Sequence, residues 1–303
     1  MSLLTAPEPH RAVVSLTPGD IGSLPISWRA RLDVPEIRHC LQKAPGVSVW
    51  NRETSEYAIA APWRNRGEVI QIADLAAIRD TEELVRGVAE SAAERGALLT
   101  VMVEVDEKRP SSFYVRCGFE HVEQVITYRI DTRKAPIVVR RPELRFDAVH
   151  PFDEATLATL IDLDHQAFPW IWWNSEAEFL SYAMLPGVEL YVGSFEDQPI
   201  SYVGVTLSDE WGHIDRIAVD PSRQGEGFGL QTLSAVVESM ARRGIRTIGL
   251  STQSTNERSQ RLYKTFGFER TRDSDYDLWG DLLHRSPDLD LFATAPTRSS
   301  TDR

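Results

Sequence analysis

The chain has 303 residues, 42% hydrophobic and 26% charged, with a formal net charge of −12. That length holds two ordinary domains with two sizeable cores, and the composition is that of a globular protein. The acidic balance without a dense basic run argues against nucleic-acid backbone binding, no apolar run approaches the roughly 20 residues of a spanning helix, and two cysteines, Cys40 and Cys117, make neither a disulfide framework nor a cysteine-rich metal site.

The first residues, MSLLTAPEPHRAVV, lack the basic segment and apolar core of a signal peptide, so a cytoplasmic location and no membrane partner are expected. Residues 1–25 are rich in Pro, Gly, Ser and Thr and predict an irregular lead-in. Asp33-Val34-Pro35-Glu36 opens a short helix through Leu41. Val47 to Trp50, Glu56 to Ala61 and Glu68 to Ala77 read as strands. Thr81 starts a helix that stops at Gly96, and Leu98 to Val105 is a buried strand. A short helix carries Phe113 and Tyr114, and Glu123 to Ile130 closes a first domain, residues 26–131. Residues 132–143 mix charges with two prolines and read as a linker.

The second domain, residues 144–291, begins with a strand from Leu144 to Val149. Asp153 to Ala167 is helical by period. The tract Phe168-Pro169-Trp170-Ile171-Trp172-Trp173 breaks that helix, and Ser175 caps the next. Val188 to Phe195 and Ile200 to Leu207 form a hairpin-like pair. Ile214 to Val219 is an apolar strand that runs through Asp220-Pro221 into Gln224-Gly225-Glu226-Gly227-Phe228-Gly229 and a long helix from Leu230. Glycines let backbone N–H groups approach an anion, and the helix start adds partial positive charge, so this stretch is a phosphate cradle. A strand from Thr247 to Leu250, a helical stretch with Asn256 and Tyr263, and a strand from Asp273 to Gly280 follow. Residues 292–303 are rich in Thr, Ser, Pro and Arg and predict a disordered tail.

The two halves repeat one plan. Phe113-Tyr114 to Gly118-Phe119 mirrors Leu262-Tyr263 to Gly267-Phe268, and Leu75-Ala76 mirrors Ile217-Ala218. The shorter spacing between strand and helix in the first copy removes the glycine loop. Asp80, Glu82 and Glu83 stand at that helix start, where carboxylates would repel a pyrophosphate. Only the second copy is therefore equipped for an anionic ligand.

A P-loop would need a lysine that is absent here, and a dinucleotide fingerprint would come earlier in its domain. Gln224-x-x-Gly227-x-Gly229 after Ala218-Val219-Asp220-Pro221, with Asn256 and Leu262-Tyr263-x-x-x-Gly267-Phe268 downstream, resembles the GNAT superfamily of acetyl-CoA-dependent N-acetyltransferases. The resemblance covers residues 144–280 closely and about 30–130 as a degenerate copy, a tandem layout similar to mycothiol synthase. It implies two α/β folds, each a mixed, mostly antiparallel sheet flanked by helices. It implies acetyl-CoA as co-substrate, held by the backbone of Ile217, Ala218 and Val219 along its pantetheine arm and by Gln224 to Leu230 at its pyrophosphate. It also puts the Val219 N–H near the thioester oxygen. Asn256 matches a cofactor-contacting Asn and also suits a helix cap. Tyr263 matches the general acid that protonates the departing thiolate, and the alternative is a core tyrosine like Tyr114.

His213 falls where histone-type members carry a catalytic Glu, and His213 with Asp215 falls where serotonin N-acetyltransferase carries two His. On an extended strand His213, Asp215, Ile217 and Val219 share a face, which suits a base acting at the thioester. The segment Ala167-Phe168-Pro169-Trp170 resembles ribosomal-protein alanine N-acetyltransferases, whose catalytic Glu would fall on Ser251 here. Trp170, Trp172 and Trp173 lie where this fold borders its acceptor site. They either floor a pocket for an amine or pack the core. The expected activity is acetyl transfer to a primary amine, on a small molecule or a peptide, by direct attack, with no metal, in a monomer or homodimer. The reading from another class is a non-catalytic acyl-CoA-binding module, and a different acyl donor or acceptor stays open.

Overall fold

The computed structural model describes residues 13–26, 30–104, 109–136, 144–149, 152–283 and 290–293. The start of the expected lead-in, most of the expected linker and the tail beyond residue 293 lie outside these described residues. The chain divides into two units, Met1–Val122 with Asp277–Ser286, and Glu123–Tyr276 with Pro287–Arg303.

The first unit contains β1 (Val13–Ser15), α1 (Val34–Lys43), β2 (Val49–Asn51), β3 (Glu56–Trp63), β4 (Arg66–Ala76), α2 (Thr81–Ala93), β5 (Leu99–Glu104) and α3 (Ser111–Arg116). Asp33 caps α1 in a reciprocal box with Glu36, satisfying two backbone donors at once. Strands β1 to β4 are antiparallel neighbours, and β4 and β5 are parallel. Residues Val88, Leu84 and Val85 of α2 pack on Ala58, Ala60 and Ile72 of the sheet.

β6 (Glu120–Asp131) crosses into the second unit at Glu123. There follow β7 (Arg145–Ala148), α4 (Glu154–Ala167), α5 (Glu176–Ala183), β8 (Val188–Phe195), β9 (Gln198–Leu207), β10 (Trp211–Val219), α6 (Phe228–Arg242), β11 (Thr247–Gln253), α7 (Glu257–Phe266) and β12 (Glu269–Leu282). The strand order is β7-β8-β9-β10-β11-β6, with β12 beside β6. Pairing is antiparallel except for β10 with β11. Residues of β6 from Val125 to Asp131 pair with β11, while Asp277 to Leu282 of β12 pair with β5 in the first unit. The composition-based boundary after residue 131 therefore lies beyond the spatial division at Val122. Leu233, Val236, Val237 and Met240 of α6 join Tyr263 and Phe266 of α7 on one sheet face. Leu160 and Leu163 of α4 and Phe179 of α5 cover the other.

Each unit is thus an α/β layer structure with a mixed sheet and one parallel pair. In both, the parallel pair is short. β4 meets β5 only from Val69 to Gln71, and β10 meets β11 only from Trp211 to Ile214. Both strands of each pair run on beyond that point, so each pair opens into a wedge. Each opening strand also carries a bulge against its other neighbour, at Ala73 in β4 and at Asp215 in β10. Among the described residues no helix is long and apolar enough to cross a membrane, and no group of three or more His, Cys, Asp or Glu is placed to hold a metal ion.

Candidate active site

The mouth of the second wedge is built by the glycine loop. β10 ends at Val219, and Asp220 turns the chain by accepting from the Ser222 N–H at 2.8 Å. Gly225 and Gly227 have φ of 95° and 88°, the left-handed region that disfavours a Cβ. Nothing lies within 4 Å of where a Cβ would be at either glycine. The following helix α6 starts without a side-chain cap and without an acid in its first turn. Its first amides therefore present their partial charge to whatever enters the loop. Glu226, the acid in the loop, is turned aside into a two-pronged pair with Arg223 at 2.9 Å. Gln224 ties the loop to the strand by donating to the Val219 carbonyl at 3.1 Å, and its own carbonyl accepts from Arg258 of α7.

The backbone of β10 faces the wedge in alternation. The Asp220 N–H donates to the Ile200 carbonyl at 2.8 Å, and Val219 stands opposite Ser201. Antiparallel pairing alternates, so the N–H and C=O of Val219 and Ile217 point away from β9 and into the opening. Ala218 turns its backbone to β9, so of the expected strand residues it offers no backbone group to the wedge. The side chains of Ile217 and Leu230 pack in the cluster that holds Tyr263. A Cβ on Gly229 would sit 3.4 Å from Leu262 and 3.7 Å from Val219, so a glycine there lets α6, α7 and β10 close together. Phe228 is buried beside Phe146, Phe195 and Val219. Tyr263 is 3% exposed, with Tyr128 6.0 Å away, and burial pushes its phenol up to about 12. It is fully protonated at neutral pH and available as a donor. Asn256 caps α7, accepting from the Ser259 N–H at 3.0 Å.

His213 and Asp215 do not share a face with Ile217 and Val219. The bulge inserts Asp215, so Ile214 and Ile217 lie on the α6 side while Arg216 and Ala218 lie on the α4 side with Tyr202. Asp215 meets Tyr182 of α5 on that second side. The even alternation expected of an unbroken strand fails here because the extra residue resets its phase. His213 Nδ1 stands 2.7 Å from Asp215 Oδ1, and Thr206 donates to Asp215 Oδ2 at 2.6 Å. Both members of the pair are about one quarter exposed. Two bare positions make the room. A Cβ on Gly204 would lie 2.9 Å from Tyr182 Cε1, and a Cβ on Gly249 would lie 3.1 Å from His213 Cδ2. Tyr182, Thr206, Gly204 and Gly249 carry no motif, and only strand register shows their place.

The tryptophans are placed differently from one another. Trp172 is 3% exposed and has no surface for a ligand, while its carbonyl accepts from Arg216 Nη2 at 2.6 Å. Arg216 is bound in turn to buried Asp164 at 2.5 Å and to the Tyr202 hydroxyl at 2.9 Å, and lies over the Phe168 ring. Trp173 stacks on His165 at 4.2 Å and donates its indole N–H to the Phe168 carbonyl. Trp170 is half-buried, and its backbone N–H donates to the Ala293 carbonyl at 2.7 Å. Packing, one of the two alternatives open for these residues in the sequence, thus accounts for Trp172.

The first unit has the wedge without the cradle. Glu56 accepts from the backbone N–H groups of Arg79 and Asp80 at the start of α2, at 2.8 to 3.1 Å. Asp80 turns inward to Asn51 and Thr54. Arg109 donates to the carbonyl of Leu75, the counterpart of Ile217. The chain's own side chains occupy the groups that a phosphate and an extended arm would need.

Residues 157–268 match the acetyltransferase (GNAT) family model. A [ribosomal protein bS18]-alanine N-acetyltransferase of Haemophilus ducreyi is 35% identical over 65 residues, 22% of this chain and 44% of that protein. A mycothiol acetyltransferase of Acidimicrobium ferrooxidans is 43% identical over 61 residues, 20% of each chain. The match thus spans less than half the length of either relative. Among solved structures, a GCN5-related N-acetyltransferase from Sphaerobacter thermophilus aligns over 93% of this chain and 98% of its own, at 16% identity and TM-score 0.60. A tandem GNAT protein from the clavulanic acid biosynthesis pathway aligns over 90% and 99%, at 14% identity and TM-score 0.58. The wedge and the uncapped helix start both lie within the residues that match the acetyltransferase (GNAT) family model, and the solved structures share the fold.

Proposed function

We propose that this chain is an N-acetyltransferase that moves the acetyl group of acetyl-CoA to a primary amine. The observation that carries the reading is the opening of β10 from β11 directly beside an α6 start that no side chain caps. A pyrophosphate suits the amides from Gln224 to Leu230, and an extended pantetheine arm suits the backbone of Ile217 and the Val219 N–H, the Val219 carbonyl being held by Gln224. The co-substrate supplies the activated thioester.

The protein's residues divide the proton work across β10. The amine arrives mostly as ammonium and must lose a proton before attack. His213, with Nδ1 held by Asp215, takes that proton at Nε2, directly or through a water. The amine nitrogen then bonds to the acyl carbon as the carbon–sulfur bond breaks. The Val219 N–H, aimed into the wedge, stabilises charge on the acyl oxygen. Tyr263, kept protonated by burial, gives its proton to the sulfur, and the second amine proton, shed as the amide forms, restores the phenol through solvent. The first unit serves as scaffold, because Glu56 and Arg109 fill its equivalent groups.

The test is Tyr263→Phe assayed by thiol release with a panel of amines. Loss of a general acid costs about 10²–10⁴ in rate, while acetyl-CoA affinity by calorimetry stays near wild type. Unchanged turnover would assign the acid elsewhere and leave Tyr263 the core role of its counterpart, stacked Tyr114. Thiol release absent for wild type with every amine, despite tight acetyl-CoA binding, would favour a binding module.

A further inference from the structure

We propose that Tyr182 is a positioning residue for the His213–Asp215 pair, fixing the carboxylate so that His213 accepts protons at Nε2. This rests on reading His213 as the base. Three donors converge on Asp215. Tyr182 and Thr206 hydroxyls both donate to Oδ2, and Oδ1 faces His213 Nδ1 at 2.7 Å. An ionised carboxylate only accepts, so Nδ1 carries the imidazole proton and Nε2 keeps its lone pair. The three come from different elements, α5, β9 and β10, and meet because Asp215 is the bulged residue.

The fold leaves specific room for this arrangement. Gly204 clears the Tyr182 ring, whose Cε1 and hydroxyl a Cβ would approach to 2.9 and 3.0 Å. Gly249 clears the imidazole in the same way from β11. Among the described residues, the titratable groups in hydrogen-bond contact with the pair are Tyr182 from α5 and the two partners themselves. β9 adds the Thr206 hydroxyl, β11 the bare Gly249, and β10 the Trp211 ring 5.7 Å from His213. Burial and the Asp215 charge both push the Tyr182 phenol well above its ordinary value, so it stays a donor through the working pH range.

The two donors on Oδ2 do two things. They stop the carboxylate rotating away from the imidazole, and they share its charge, which limits how strongly it stabilises the imidazolium. Removing the Tyr182 hydroxyl therefore frees charge for the imidazolium and loosens its geometry. In Tyr182→Phe the acid limb of the kcat/KM–pH profile should move to higher pH. kcat should fall about tenfold, the scale of one charge-assisted hydrogen bond. The KM for acetyl-CoA should not change. Thr206→Val should move the limb the same way by a smaller step, and it decides the matter if Tyr182→Phe does not fold.

His213→Ala, measured alongside, separates the two claims. If it leaves the acid limb in place, the base assignment falls and this proposal falls with it. If it removes the limb while Tyr182→Phe and Thr206→Val leave the limb at its wild-type pH, whatever their kcat, the positioning role is overturned and the base assignment stands.

Discussion

The asymmetry between the units can be transplanted by one residue. Gly227 is the N-cap of α6 and carries no side chain to bind its amides. Gly227→Asp would place there the kind of carboxylate that Glu56 places at the start of α2. The variant has two effects of different kind. A non-glycine residue at φ of 88° is strained by about 1–2 kcal/mol, and an N-cap oxygen returns part of that. The new charge also faces the bound pyrophosphate. At about 5 Å and an effective dielectric of ~20, one pair of like charges repels by about 3 kcal/mol, and solvent and salt reduce this to a loss of about 10- to 100-fold in affinity. Gly227→Asn isolates the charge, since it has the same shape, the same capping oxygen and the same tolerance of a left-handed backbone. The expected result is an acetyl-CoA Kd, measured by calorimetry, that is about tenfold or more weaker for Asp than for Asn, with the gap closing as salt rises. Melting temperatures of the two should be similar. Equal affinities for Asp and Asn would refute the cradle as the phosphate site.

Two further predictions concern buried charge. Arg216→Met takes the guanidinium from fully buried Asp164, which keeps the Asn174 N–H and the Tyr202 hydroxyl, so unfolding stability by denaturant should fall by about 3–5 kcal/mol. Replacing Asp164 by Asn in the same chain should recover much of that, and a loss below about 1 kcal/mol would show that water reaches the pair. In the first unit, burial pushes Asp74 above the ordinary carboxylate range, against the N–H of Arg31 and neighbouring amides that pull it down. A raised folded-state value means that the charged form costs stability above it, a cost that vanishes as pH falls below the unfolded value. Asp74→Asn should therefore melt higher than wild type at pH 8, with the advantage disappearing toward pH ~4. A difference independent of pH would mean that Asp74 titrates normally.

The parts of the site that sequence made legible are local in the chain. The glycine loop and the Asn256 cap each depend on neighbours a few residues away, so residue type and spacing suffice. What escaped is set across strands. Asp215 is bulged because β9 offers one residue fewer, and nothing within Ile214-Asp215-Arg216 says so. That single insertion moves His213 and Asp215 to the face opposite Ile217. Tyr182 reaches Asp215 across 33 positions of chain, and Gly204 and Gly249 matter only as gaps beside their register partners. Trp172 shows a different limit. An aromatic side chain looks the same in sequence whether it floors a pocket or fills a core. Trp172 is buried, and its carbonyl accepts from Arg216, 44 positions away in the chain. The strands β6 and β12 show a third. Their alternating pattern satisfies any sheet, so chain order cannot show that each is shared between two units.

The repeat also separates what the backbone supplies from what side chains supply. Both units have the parallel pair that opens early and the bulge at the same place, Ala73 in one and Asp215 in the other. The wedge is therefore a property of the duplicated backbone and, by itself, no sign of chemistry. The positions that change are side chains. Gln71 and Ala73 stand where the second unit has His213 and Asp215, so the first unit lacks that imidazole–carboxylate pair. Glu56 and Arg109 bring a charge of each sign to the first wedge, one on the amides at the start of α2 and one on the Leu75 carbonyl. An empty wedge would leave those backbone groups to water, and burying them without partners costs about 1–3 kcal/mol each. The second unit leaves the same groups open, and that opening is useful only if something arrives to satisfy them.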